Sequence, residues 1–524
     1  MLINGNDLTI EDVVAVARDG VQVQLDPTAR ERVEQSHRWV QEIVTSQNPV
    51  YGINTGFGIF SEQIIPPQEI ARLNRNLILS HAVATGPYLP LEVVRAAMLI
   101  RANTLALGFS GVRPEILDTL LEMLNRKVTP LVPSQGSLGS SGDLAPLSHL
   151  ILVFTRSPRE EEDSEADSGL AWIGMPPGEP VSGKVAMQAA GLSRLVLGPK
   201  EGLALNNGAT FSAALATLTV YDAEHLLDVS EVSLAMCLDA MLGVTAAFDA
   251  RIHSSRRHPG QKIVAERVCQ LLQGSTLIDA AGRVQDAYSI RCAPQVQGSA
   301  RDILQFVKEV TSREINAATD NPLLFAPGLA LSGGNFHGEP LGMAMDFLGI
   351  AMAEVGAISE RRIFRLTDSR LNSNLPPMLV DHPQAAGINS GMMMPQYTAA
   401  SLVLENQTLA NPDSVHSLPT SAEQEDHNAN SMTAARHTRQ IIENTAHILA
   451  LEVYCAARAL DLRLRERPDA HMGIGVETAH RSVRAHVPYI AGDAWWEPEI
   501  ELVREIITTP AFIHAIFKSI DNRI

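Results

Sequence analysis

Gly136-Ser137-Leu138-Gly139-Ser140-Ser141-Gly142-Asp143-Leu144-Ala145-Pro146-Leu147-Ser148-His149 is the stretch around which the rest of the chain is read. Its glycines fall at every third position, with serines between them. Glycine tolerates positive φ and lets backbones approach closely, so the segment reads as a tight, specially shaped loop. Asp143 suits an N-cap, and Pro146 with the apolar run Leu144 to Phe154 suits a helix that starts just after it. Three readings compete for the loop. It is a plain surface turn, or a phosphate cradle at a helix N-terminus, or a site of backbone chemistry. The cradle lacks a Gly-Lys-Ser/Thr ending and the G-x-G-x-x-G spacing, and no G-x-S-x-G elbow is present either. In the covalent reading the unhindered Gly142 nitrogen attacks the Ser140 carbonyl carbon. Loss of two waters then leaves the Ser141 side chain as a methylidene on a five-membered ring.

Outward from the loop, the totals bound the answer. A chain of 524 residues with 45% hydrophobic and 19% charged residues can bury a large core in two or three domains. The net charge of −18 leaves no basic excess to meet nucleic-acid phosphates. Four scattered cysteines (Cys237, Cys269, Cys292 and Cys455) form no zinc or disulfide pattern, which fits a reduced setting. No signal peptide and no uninterrupted apolar run long enough to span a bilayer is read, so a cytoplasmic enzyme is expected.

Along the chain, Thr9-Ile10-Glu11-Asp12 predicts a helix start, Val21 to Leu25 a short strand, and Asp26 to about Gln47 a charged helix. Val50-Tyr51-Gly52-Ile53-Asn54-Thr55-Gly56-Phe57-Gly58 is a second glycine-rich loop, in which Tyr51 is either a packing residue or part of a segment that closes over a site. Two helices are predicted between Gln68 and Leu107, split at Gly86 to Pro90. The first ends in Ser80-His81, where the histidine is either a satisfied core group or a ligand. The acidic run Arg159 to Asp167 and the Gly/Pro segment after it read as a solvated, poorly ordered lobe without a catalytic role. Proline-free stretches at Lys200–His258, Leu341–Leu375 and Thr420–Arg467 predict long bundle helices with kinks at interior glycines. The expected fold is mainly α: a smaller mixed α/β N-terminal domain (1–200) carrying both loops, then a long-helix bundle (201–524).

Further candidates lie in polar stretches on or between those helices. In Gln285-Asp286-Ala287-Tyr288-Ser289-Ile290-Arg291, helical spacing puts Tyr288 and Arg291 on one face, near Gln285. Arg291 offers a planar fork matched to a carboxylate, whether a substrate's or a structural partner's. Asn207, in Leu203-Ala204-Leu205-Asn206-Asn207-Gly208, reads equally as a core amide or a site group. His337, Glu339 and the run Glu425-Asp426-His427 are possible metal ligands but lack a metal-binding spacing, so no metal is expected.

Taken together, these motifs resemble the aromatic amino-acid ammonia-lyases over nearly the whole chain, with the histidine ammonia-lyases nearest. The resemblance implies that Ser140-Ser141-Gly142 forms 4-methylidene-imidazole-5-one (MIO), although Ser140 stands where the family has Ala; its side chain would remain outside the ring. It further implies Tyr51 as the base that takes the β-proton and Asn207 near the ring oxygen. Phe336 would pack near the ring, Arg291 would bind the substrate carboxylate, and Tyr288 and Gln285 would line the site. An ordinary phenol has a pKa of about 10, so Tyr51 is expected to be pulled down, as helix N-termini would do. Ser80-His81 matches the pair that meets the substrate ring in histidine lyases, and Glu405 matches their glutamate. A carboxylate and a histidine suit an imidazole, whose two nitrogens need partners. Asn206, Asn428-Ala429-Asn430-Ser431, Gln407 and Asn411 depart from the usual pattern. The implied enzyme converts L-histidine to trans-urocanate and ammonia as a homotetramer with shared active sites. Within the family the rivals are a phenylalanine or tyrosine ammonia-lyase and an aromatic 2,3-aminomutase. Outside it, the rival is a non-catalytic helical protein whose loop binds an anion or nucleotide.

Overall fold

In the computed structural model, residues 1–46 and 49–522 are described. Among them are nineteen α-helices and four small sheets, none of more than three strands, so the chain is mainly α. Local signals act as read at the N-terminus. Thr9 caps the helix Ile10–Val14 in a closed capping box with Asp12. Strand pairing after it is shorter than expected. Only Gln24–Leu25 pairs, parallel with Leu2–Ile3, because the Asn125 side chain takes both backbone groups of Val23, each at 2.9 Å. The charged helix is Pro27–Ser46; its expected end at Gln47 lies outside the described residues.

The chain divides into two compact units that interleave in sequence, where one boundary at residue 200 was expected. The first comprises Met1–Tyr221, Val307–Asp346 and Pro412–Arg436. Its centre is the helix Leu91–Ala106, buried at every position from Val93 onward. Two arginines in this helix are carried inward because backbone carbonyls receive them: Arg95 donates to Val16, Ala17 and Leu124, and Arg101 to Ala204. The three-stranded sheet of this unit is antiparallel, Val128–Pro130 against Leu170–Ile173 against Val181–Ser182.

The acidic stretch 159–167 belongs to this unit and is ordered, against expectation. Asp163 pairs with Arg194 and Lys184, and the Asp167 carbonyl accepts from Arg75 at 2.5 Å. Buried Arg75 and Arg194 need these acceptors, and that need, rather than solvation, fixes the run.

The second unit comprises Asp222–Phe306, Phe347–Asn411 and His437–Ile524. Buried Glu452, on the helix Ser431–Glu466, accepts from Arg362, Ser233, Ser359 and Cys237, so its charge is both paired and hydrogen-bonded. The helix Glu339–Thr367 is continuous through its glycines instead of kinked at them. A Cβ at Gly349 would lie 2.9 Å from Thr438 Oγ1, and one at Gly356 3.1 Å from Ile448 Cδ1; these glycines admit a neighbouring helix. By length and composition the same helix could cross a membrane, although Asp346 and Glu354 interrupt its apolar run, and 67% of its apolar window is buried inside the protein.

Candidate active site

The serine-glycine loop is built by backbone approach. The helix Leu144–Phe154 starts where expected, with Asp143 in the N-cap position, but the Asp143 side chain does not cap it. That carboxylate is fully buried and instead accepts from Ser137 Oγ (2.7 Å), Ser212 N (2.8 Å) and Ser212 Oγ (3.0 Å), which ties the loop to the start of the helix Thr210–Ala240. Burial pushes the Asp143 carboxyl above the usual range while these donors pull it down.

Gly142 has φ +76° and bridges Gly208 in parallel; a Cβ there would stand 2.0 Å from the Gly208 carbonyl carbon. Only glycine fits. The Ser141 carbonyl oxygen receives two donors across this contact, Asn207 Nδ2 at 2.8 Å and Gly208 N at 3.1 Å. Gly208 returns its own carbonyl to Asp143 N at 2.9 Å.

The hydroxyls of Ser140 and Ser141 both point to one carboxylate. Ser140 Oγ donates to Glu425 Oε2 at 2.9 Å and Ser141 Oγ to Glu425 Oε1 at 2.6 Å. Glu425 was read in the sequence only as a possible metal ligand. Its place against the triad, 284 residues from Ser141, had no signal beyond its setting in Gln424-Glu425-Asp426-His427. A carboxylate at these hydroxyls also opposes the anion-cradle reading of the loop, since it would repel the anion.

A cavity of about 1360 Å³ opens over this arrangement. Of the residues singled out, it is lined by Tyr51, Ser80, His81, Ser140, Ser141, Asn207 and Phe336; Gly142, next in sequence, bridges Gly208. Tyr51 reaches the cavity from a loop folded on itself through the Thr55–Ile64 bridge. Its phenol moves opposite to expectation: burial pushes its pKa up and the negative charge of Glu425 adds to that, with only the Gly58 backbone amide pulling down. Ser80 and His81 close the helix Ile70–His81, with Ser80 Oγ 3.0 Å from His81 Nδ1. Burial lowers the His81 pKa against the opposing pull of the Leu77 carbonyl and Glu425.

Gln285, Tyr288, Arg291 and Glu405 do not line this cavity. The helix expected to carry the first three is the single turn Tyr288–Arg291. Gln285 precedes it in irregular chain, because Asp286 is held by Arg283 and by Val244 N at 2.6 Å and Ala287 is extended. The Arg291 guanidinium stacks 4.8 Å from the Tyr288 ring centroid, and that ring is 70% exposed. Glu405 is exposed on the helix Met393–Leu409, where it accepts from Asn444 at 3.3 Å.

The profile of the aromatic amino acid lyases matches residues 8–485. The chain belongs to this family. As a carbon–nitrogen lyase it is 47% identical to a histidine ammonia-lyase of Caldanaerobacter subterraneus, over 94% of this chain and 93% of that one. It is 45% identical to a histidine ammonia-lyase of Gloeobacter violaceus, over 98% and 97% of the two chains. Among solved structures, the lyase superposes on histidine ammonia-lyase from Trypanosoma cruzi with a TM-score of 0.89 at 35% identity, covering 100% of this chain and 95% of that one. It superposes equally on a tyrosine aminomutase from Streptomyces globisporus, with a TM-score of 0.91 at 32% identity, over 99% and 98%.

Proposed function

We propose that this lyase eliminates ammonia from L-histidine to give trans-urocanate, and that Ser140-Ser141-Gly142 matures into the MIO group. The observation that carries the reading is that two of the triad, Ser140 and Ser141, line one cavity with Tyr51, Asn207, Glu425 and Ser80-His81. The chain around the triad suits the ring. Gly142 sits where a side chain has no room, and its nitrogen is unhindered for closure onto the Ser140 carbonyl carbon. Closure forms that N–C bond and releases the Ser140 carbonyl oxygen with the amide hydrogens of Gly142 and Ser141 as one water. The Ser141 hydroxyl and its Cα hydrogen leave as the second.

The ring supplies an electrophilic methylidene, which no ordinary side chain offers. The remaining tasks fall to named side chains. Asn207 Nδ2 and Gly208 N hold the oxygen that the ring retains and draw electron density toward it. Tyr51 and Glu425 are the groups that accept and return protons, with Tyr51 assigned the β-proton. Burial and Glu425 raise the Tyr51 pKa, and a cation brought beside it, such as Arg291, would lower it. Ser80-His81 faces the substrate ring, and Glu405 and His81 together suit an imidazole better than a phenyl ring. Phe336, which lines the same cavity, would pack near the MIO ring.

Gln285, Tyr288, Arg291 and Glu405 lie outside this chain's cavity, which supports a homotetramer with sites completed by other copies. Exposed apolar side chains at Met394, Tyr397 and Leu404, 58%, 61% and 65% exposed along one helix, suit burial in such an assembly. The second reading, an aminomutase, draws on the TM-score of 0.91 with the tyrosine enzyme. A panel of L-histidine, L-phenylalanine and L-tyrosine with near-ultraviolet detection decides: urocanate is expected. Cinnamate or coumarate without urocanate, or a β-amino acid as main product, overturns the assignment.

A further inference from the structure

We infer that the Ser140 hydroxyl is a positioning group for Glu425 in the mature enzyme, an inference that rests on the maturation proposed above. Among the described residues, the Glu425 carboxylate takes its side-chain hydrogen bonds from two hydroxyls, Ser140 on Oε2 at 2.9 Å and Ser141 on Oε1 at 2.6 Å. Maturation removes one of them, because the Ser141 oxygen departs as water. The Ser140 side chain stays outside the ring and keeps its hydroxyl. An Ala-Ser-Gly triad would leave the carboxylate with neither. Serine at this position therefore leaves one donor on the acid that faces the cavity after the other has been consumed.

Backbone order alone does not aim the carboxylate. The Glu425 backbone is fixed by a reciprocal pair with Thr420, at 2.8 and 3.2 Å, next to a turn in which Ser421, Ala422 and Glu423 all have positive φ. Beyond Cα the side chain has three torsions, which cost freedom to hold. A hydrogen bond to one oxygen holds them and leaves the other, Oε1, toward the place the Ser141 oxygen vacates. A small misplacement of a reacting group costs large factors in rate, so the expected effect lies on turnover and not on substrate binding.

The test uses four full-length variants: Ser140→Ala, Ser140→Thr, Glu425→Ala and the double variant Ser140→Ala/Glu425→Ala. Intact mass comes first, and all four are expected to lose two waters. Ser140→Ala should then lower kcat about tenfold, the order set by one hydrogen bond to a charged group, with KM within about twofold. Ser140→Thr, which keeps a hydroxyl, should recover most of the loss. In the Glu425→Ala background the same Ser140→Ala change should cost under about twofold, because the group it acts through is gone. Independently of turnover, the carboxylate infrared band of Glu425, identified by subtracting the Glu425→Ala spectrum, should shift in Ser140→Ala and not in Ser140→Thr. An unmoved band, an unchanged kcat, or an equal cost in both backgrounds overturns the inference alone. A wild type that has not lost two waters overturns the maturation reading as well, and the mass shows this before any kinetics.

Discussion

Gly208→Ala tests whether the backbone bridge beneath the triad is what permits maturation. Gly208 is outside the three cyclising residues, so the substitution alters none of the reacting atoms. It adopts φ +119°, a conformation essentially reserved for glycine, and an alanine there costs about 1–3 kcal/mol in strain. The added Cβ would lie 2.7 Å from both Thr319 O and Thr319 Oγ1 and 2.9 Å from Arg101 Nη2, so the strand of chain must shift. Two hydrogen bonds ride on its position, Gly208 N to Ser141 O at 3.1 Å and Asp143 N to Gly208 O at 2.9 Å. At about 0.5–1.5 kcal/mol each, the total local cost is roughly 2–6 kcal/mol. Even the low end lowers the population of the closure-competent loop about 30-fold, at 1.36 kcal/mol per factor of ten. Intact-mass spectrometry of freshly expressed protein, followed over time, reads the loss of two waters directly, and circular dichroism reports whether the fold persists. Folded Gly208→Ala that sheds both waters at the wild-type rate would refute the argument that this bridge presents the loop for closure.

Ser141→Ala is expected not to show the two-water loss and to show no turnover, since it lacks the hydroxyl whose departure as water leaves Cβ as the methylidene, while Tyr51→Phe should mature fully and lose at least about a hundredfold in kcat. Mass and steady-state assays on the two variants separate maturation from proton transfer. Co-expression of Tyr51→Phe with Arg291→Ala should restore measurable activity in mixed oligomers, because a composite site would pair the intact Tyr51 of one copy with the intact Arg291 of another; no recovery in a purified mixed oligomer would count against shared sites. Asp239 gives a pH signature: burial pushes it up to about 7 against hydrogen bonds from Ser275 and Gly473 N. A carboxyl whose folded pKa is raised adds stability that is full below its ordinary 3.8 and is lost as pH climbs to about 7. Thermal midpoints of Asp239→Asn should therefore rise relative to the wild type between pH 4 and pH 7 and run parallel above it.

Much of the site was legible because its parts are local. The spacing of Gly136, Gly139 and Gly142 marks a loop that needs positive φ, and all three glycines have it. The apolar run after Asp143 marks the helix Leu144–Phe154. Proline-free apolar stretches mark the long helices, because a missing backbone donor is what breaks them. The Thr9 capping box is likewise a matter of neighbours three residues apart.

What the sequence by itself determined, then, was written in adjacent residues: the Ser140-Ser141-Gly142 triad, the glycine loop carrying Tyr51, the Ser80-His81 pair and the helical class. Only the tertiary structure decided which distant groups meet them. It brought Glu425 to both triad hydroxyls and turned Asp143 from a helix cap into a buried acceptor for Ser137 and Ser212. It reversed the expected shift of Tyr51 by burying the phenol beside a carboxylate, and it left Gln285, Tyr288, Arg291 and Glu405 outside the cavity of their own chain. Backbone propensity and side-chain periodicity act over a few residues, whereas desolvation, charge proximity and the filling of a cavity depend on distances in space. Packing alone sets those distances.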